Sequence, residues 1–218
     1  MPNARGVRDF FLHKNEKNPF FFRGILTDFK EKHKFFVKKR KHFLFFFAIL
    51  VLRNSKYKNQ NKEAIYENES FIGGAPLNLA AHCSKQGAKS FMLSSVGNDD
   101  LGKNALEIVK SFNVNTDFVS INQEKETGKC IVTLNENGVP SYNVLTDVSY
   151  DYIKSPDNIN ELQFDFFCFG TLALRSKENL ETVKLILKNG NIKKVYCDIN
   201  IRPPFFSDNV ILFALQNS

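Results

Sequence analysis

The sequence predicts an α/β fold with a mostly parallel sheet and a small β excursion, and three observations carry that prediction. From Gly73 onward, segments with apolar residues at helical spacing alternate with short continuous apolar runs, the pattern of a parallel sheet flanked by helices. Between two such units lie KCIVTL and VPSYNVL, joined by a turn ending in Asn137-Gly138, which reads as an inserted hairpin. The most hydrophobic run, FLFFFAILVL at residues 43–52, suits a central strand of a parallel sheet.

Along the chain, residues 75–86 place Leu77, Ala80, Ala81 and Ser84 on one helical face, and Gly87 stops the helix. Residues 90–96 read as a strand. Asp99 or Asp100 then caps a helix whose apolar face is Leu101, Ala105, Leu106, Ile108, Val109 and Phe112. After the hairpin come a strand over 164–170, a helix over 177–188 with Leu180, Val183, Leu185, Ile186 and Leu187, and a strand over 192–198. The segment near FALQNS begins one further helix.

Charge and aromatic content divide the 218 residues unevenly. Residues 1–62 carry 16 Lys and Arg against 4 Asp and Glu, together with 12 of the 23 phenylalanines, whereas residues 63–218 carry 14 against 19. The basicity of the chain therefore belongs to its head. Residues 1–62 form a basic, Phe-rich head expected to be mostly poorly ordered, with a candidate first strand at 43–52, and residues 63–218 form the body. Interleaved basic and aromatic residues are compatible with nucleic acid or an acidic membrane surface. No RNP, helix-turn-helix or zinc-finger pattern supports the first, and the ten-residue apolar run is about half of the roughly 20 residues a spanning helix needs. Nucleic acid and membrane are thus not expected partners, and cytoplasm is the default location. The four cysteines, Cys83, Cys130, Cys168 and Cys197, show no C-x-x-C pair, so each is expected reduced and buried, with no metal site.

In open α/β sheets, ligands bind beyond the carboxyl ends of the strands. That rule selects the loop after Val96, the Gly170-Thr171 turn, and DINIRPP after the strand ending at Asp198. Gly73-Gly74 adds a helix start whose free N–H groups can meet a polar ligand closely, because no Cβ intervenes. Asn78, one turn on, offers donor and acceptor together, which suits a polyhydroxylated ligand.

GGAPLNLAAH, SVGNDDLG about twenty residues on, TGKCIVTLNENGVPSY, FGTLAL and DINIRPP form an ordered set that resembles the PfkB-type carbohydrate kinases of the ribokinase-like superfamily, within them the fructokinase-like group. The resemblance covers residues 71 to about 210, roughly the first two thirds of such an enzyme. It implies a ribokinase-like, mostly parallel sheet flanked by helices, with a small β lid at about 127–146 and a fold incomplete at the C-terminus. It also implies transfer of the γ-phosphoryl group of ATP to a sugar hydroxyl with Mg²⁺. Gly73, Gly74, Asn78 and Gly170 would then bind the sugar, and Asn200 and Arg202 the nucleotide phosphates. Lids in this family often pair between subunits, which makes a homodimer through the lid an expectation.

The chain departs from the family pattern in two motifs. The Gly-Ala-Gly-Asp element that supplies an anion hole and the catalytic base does not occur, so no catalytic residue is assigned. Leu52 stands near where the family's first strand ends in a sugar-binding Asp. The expectation is a truncated sugar-kinase homologue, inactive as this chain. The alternative is a catalytically dead, kinase-fold binding module whose basic head contacts nucleic acid or protein. A nicotinamide-dependent oxidoreductase would need a G-x-G-x-x-G after a strand, and none is present.

Overall fold

The computed structural model of the chain describes residues 42–46, 50–55, 70–134, 140–201 and 203–218. The chain divides into two units, Met1–Arg40 and Lys41–Ser218, and every described residue belongs to the second. Most of the head expected over residues 1–62 lies outside the described residues.

In chain order the elements are β1 His42–Phe46, β2 Leu50–Ser55, β3 Ser70–Gly73, α1 Ala75–Lys85, β4 Lys89–Gly97, α2 Asp100–Ser111, β5 Asn115–Asn122, β6 Lys129–Leu134 and β7 Pro140–Val144. A 3-10 turn Ser149–Tyr152 leads to β8 Gln163–Gly170, a second 3-10 turn Ala173–Arg175, α3 Lys177–Asn189, β9 Asn191–Asp198 and α4 Asp208–Gln216. Five strands, in the order β5-β4-β1-β8-β9, form one sheet, and each neighbouring pair is parallel. A second sheet, β3-β2-β6-β7, is mixed: β2 runs parallel to β6, while β3 and β7 are antiparallel to their neighbours.

The inner strands of the parallel sheet are covered on both faces. From Met92 to Gly97 every residue of β4 is buried, as is every residue of β8 from Phe166 to Gly170, which is why these segments read as continuous apolar runs. Leu44, Leu93, Phe167 and Phe169 stand at the centre of the core, joined by Val183 and Ile186 of α3 and Ala214 of α4. Most predicted elements hold to within about two residues. Leu77, Ala80 and Cys83 are the buried face of α1, and Gly87 ends that unit at φ 88°.

Residues 43–52 are not one strand. β1 lies between β4 and β8, whereas β2 pairs with β3 and β6 in the second sheet. Leu52, placed by sequence near a sheet-end Asp position, stands instead opposite Phe71 and Cys130 within that second sheet. A ten-residue strand would be nearly twice the usual length, and unbroken apolarity does not mark where a chain changes sheets. Both strands precede residue 62 and both are laddered to the body, so the compositional boundary and the structural one, between Arg40 and Lys41, differ. β5 was not expected from the sequence: NTDFVSIN is half-exposed along its length and lacks the apolar run that betrays an inner strand. The hairpin β6–β7 is present, and its turn lies outside the described residues.

Candidate active site

The chain passes from β3 into α1 through Gly73 and Gly74. Gly73 is buried and pairs with Leu50; Gly74 is the N-cap at φ 127°, a conformation that side chains disfavour. No side chain caps this helix and no acidic residue lies in its first turn. Pro76 has no N–H to give, so the free donors of the opening turn come from Ala75 and Leu77. The first helical bond runs from Asn78 N to the Gly74 carbonyl at 3.1 Å. The Asn78 side chain is half-buried, and its amide bonds to no described residue. Because α1 feeds β4 through a short turn, it runs antiparallel to the strands, and its N-terminus lies at their carboxyl edge.

The same edge carries Gly170 and Asn200. Gly170 is buried as the last residue of β8, opposite Asp198, and the Thr171 N–H donates to the Asp198 carbonyl at 3.1 Å. Asn200 is half-buried two residues beyond β9. The topology therefore brings Gly73, Gly74, Asn78, Gly170 and Asn200 to one end of the sheet. No bond between the α1 group and the β8–β9 group occurs among the described residues. Arg202 lies outside the described residues.

Gly97-x-Asp99-x-x-Gly102 is a brace. The Asp99 carboxylate accepts the Gly102 N–H (2.7 Å), the Thr127 N–H (2.8 Å) and the Thr127 hydroxyl (2.6 Å), and the Thr127 Oγ1 accepts the Gly97 N–H at 2.9 Å. Thr127 is fully buried, one residue before the glycine that opens β6. Burial alone would raise the pKa of Asp99. The Thr127 and Gly102 hydrogen bonds and the Lys129 charge outweigh it, and the carboxyl is held below its usual value. The glycines are close-packing sites: a Cβ on Gly97 would lie 2.6 Å from the Thr127 nitrogen, and one on Gly102 would run into the Gly97 carbonyl.

A second polar network was not foreseen. Arg175 Nε and Nη2 donate to the two carboxylate oxygens of Asp151 at 2.9 and 3.0 Å, and Nη2 also reaches the Leu145 carbonyl at 2.7 Å and the Tyr150 hydroxyl at 2.8 Å. Fully buried Asn179 donates to the carbonyls of Tyr150 and Ala173 and accepts the Ile153 N–H. The only sequence signal was position: LALRS follows a strand end. Beside this network lies a cleft of about 460 Å³, bordered by Thr146, Tyr152, Arg175, Ser176, Phe205 and Ser207 among others. None of Gly73, Gly74, Asn78, Gly170 and Asn200 lines it.

Cys83, Cys130 and Cys168 are buried, and Cys197, expected buried as well, is half-buried because β9 is an outer strand. Burial pushes the thiols of Cys83 and Cys197 up to about 12, so neither is a nucleophile at neutral pH. Among the described residues, no cluster of three His, Cys, Asp or Glu could hold a metal ion, and no helix is long and apolar enough to cross a membrane.

The family profile described as pfkB family carbohydrate kinase matches residues 48–216. The chain belongs to the pfkB family. A sugar kinase of Pyrococcus horikoshii is 32% identical over 141 residues, covering 62% of this chain and 44% of that protein. The crystal structure of this uncharacterized sugar kinase superposes with a TM-score of 0.65 at 25% identity, covering 81% of this chain and 61% of that one. A second structure of the Pyrococcus protein is a complex with ATP. A fructokinase of Solanum tuberosum is 30% identical over 88 residues, 40% of this chain and 28% of the relative. The fructokinase of Halothermothrix orenii shares the fold at a TM-score of 0.63 and 23% identity, covering 77% of this chain and 60% of that one. The pfkB chain thus has the ribokinase-like α/β fold and spans less than half the length of the curated relatives it matches.

Proposed function

We propose that this chain supplies the sugar-binding side and the lid of a fructokinase-like sugar kinase, which moves the γ-phosphoryl group of ATP to a sugar hydroxyl. The opening of α1 carries this reading: N–H groups with no side-chain cap and a glycine at φ 127° meet, at the carboxyl edge of a parallel sheet, an Asn78 amide that bonds to no described residue. Hydroxyl groups both donate and accept, so an amide beside free N–H donors matches a sugar better than it matches an apolar ligand. In this reading Gly73, Gly74, Asn78 and Gly170 hold the sugar. The lid sheet closes over it and excludes water that would otherwise compete for the phosphoryl group.

ATP and Mg²⁺ are the cofactors of the family reading. The described residues do not fit them: no carboxylate cluster suits Mg²⁺, and Asn200 alone does not make a triphosphate site. No transfer step is therefore assigned to this chain's residues. The 218 residues, which lack a Gly-Ala-Gly-Asp element, are expected to bind sugar without turnover. A homodimer through the lid belongs to the same reading, since Ser141, Tyr142 and Asn143 of β7 are exposed, and sedimentation would detect it.

The test is Asn78→Ala. Calorimetry is expected to show sugar affinity falling about tenfold, the worth of one good hydrogen bond to a ligand, with nucleotide affinity unchanged. Equal loss of both would count against the assignment. A chain that binds polyanions with steep salt dependence and no sugar would favour the binding-module reading instead.

A further inference from the structure

The turn from α3 to β9 holds a reactive dipeptide that the fold itself requires. Asn-Gly occurs at Asn137-Gly138 and at Asn189-Gly190, and the second pair is among the described residues. Asn189 is the last residue of α3, and Gly190 follows as its C-cap with φ −77° and ψ 143°. Any residue adopts those dihedrals, so they do not call for glycine. Space does: a Cβ there would lie 2.7 Å from the Ile186 carbonyl oxygen, 3.2 Å from the Ile192 side chain and 3.5 Å from that of Ile159. The packing of α3 onto the start of β9 therefore keeps residue 190 bare.

A bare residue after an asparagine leaves the next backbone nitrogen unshielded from the side-chain amide. The Asn189 side chain is exposed and bonds to no described residue. It borders a cleft of about 520 Å³ together with Ser155, Asp157 and Asn160, so it has room to turn back on its own main chain. Among the described residues the Gly190 N–H is held by the last bond of the helix, to the Ile186 carbonyl at 2.8 Å, and helix ends are where such bonds open first.

We propose that Asn189 is a site of spontaneous deamidation through Gly190, and that the change loosens the α3–β9 turn. The Gly190 nitrogen attacks the side-chain carbonyl carbon of Asn189. A C–N bond forms, the bond to the amide nitrogen breaks, and ammonia leaves with the Gly190 proton, closing a cyclic imide. Water then adds to either imide carbonyl and opens the ring, giving aspartate or isoaspartate at position 189. Both products bear on the fold. A carboxylate there meets the negative end of the α3 dipole, and isoaspartate adds a carbon to the main chain just before β9. Among the described strands β9 is laddered to β8 alone, from the Gln163–Asn191 pair onward. A longer lead-in therefore displaces Ile192 from the core it packs against, with no second neighbour to hold the register.

Ageing the 218-residue chain in mildly alkaline buffer, followed by peptide mapping with mass spectrometry, tests this. The peptide spanning Asn189 is expected to gain the mass of an amide exchanged for a carboxyl and to separate into aspartyl and isoaspartyl forms. In Asn189→Gln the longer side chain closes an imide far more slowly, and the same peptide should stay unchanged. The aged wild type should lose about 2 °C or more of its thermal midpoint, and Asn189→Gln, which keeps Asn137-Gly138, should lose clearly less. Three results would overturn the proposal: conversion confined to Asn137-Gly138, aspartate as the sole product at position 189, or an equal loss of midpoint in wild type and variant.

Discussion

Two of the connections between the second sheet and the parallel sheet, both among the described residues, are built differently. At the root of β6–β7, polar groups are paired with one another: Asp99 holds Thr127, Arg175 holds Leu145 and Asp151, and Asn179 ties the turn after β7 to the one after β8. Gly128 is packed so closely on Tyr150 that a Cβ would lie within its ring. At the root of β3–α1, no side chain caps the helix, and Asn78 makes no bond to a described residue. One root has its hydrogen-bonding capacity filled from within, Arg175 Nη1 apart; at the other, capacity is left open among the described residues. A polar group left open at a strand edge is a marker of binding, and a filled one a marker of rigidity.

The largest effect expected from that contrast is at the filled root. Gly128→Ala should destabilise by roughly 3 kcal/mol or more, since the Tyr150 ring is fully buried and has nowhere to move, and a thermal midpoint unchanged within 2 °C would break the comparison. Next comes Asn179→Leu. It strands the carbonyls of Tyr150 and Ala173 and the Ile153 N–H, at about 2 to 4 kcal/mol, which denaturant unfolding would register as a lower midpoint at constant slope.

Asp99→Asn should cost about 1 to 2 kcal/mol at neutral pH, with a signature in acid. The folded pKa of Asp99 is depressed, so its contribution is present above the unfolded value of about 3.9 and fades as pH falls through the folded value. The gap between wild type and variant should therefore close below about pH 4. A gap constant down to pH 2 would show that the brace is not electrostatic. The smallest stability effect belongs to the open root: Asn78→Ala should shift unfolding by about 0.5 kcal/mol or less while weakening the sugar, and a large loss of stability would mean that Asn78 is part of the framework.

Much of the framework was legible locally. Helical spacing placed α1, α2 and α3, apolar runs placed β4 and β8, and Asp99 lies three residues before the Gly102 N–H it caps, close enough for a reader of the sequence to pair them. The open root was legible for the same reason. Gly73, Gly74 and Asn78 lie within six residues, and glycine at a helix start advertises both its dihedral and its bare N–H groups.

Sequence by itself determined the alternation of strands and helices, the hairpin and the residues that open α1. Tertiary structure alone decided which sheet each half of residues 43–52 joins, that Thr127 closes on Asp99, and that Arg175, Asp151 and Asn179 form a buried network. Thr127, which closes on Asp99, and Tyr150 and Ile153, which meet Asn179, lie from 26 to 29 residues away in sequence. Helical and strand periods report only which face of an element is apolar. Which distant polar group a buried side chain meets depends on how the strands are ordered in the sheet, and no local pattern carries that order.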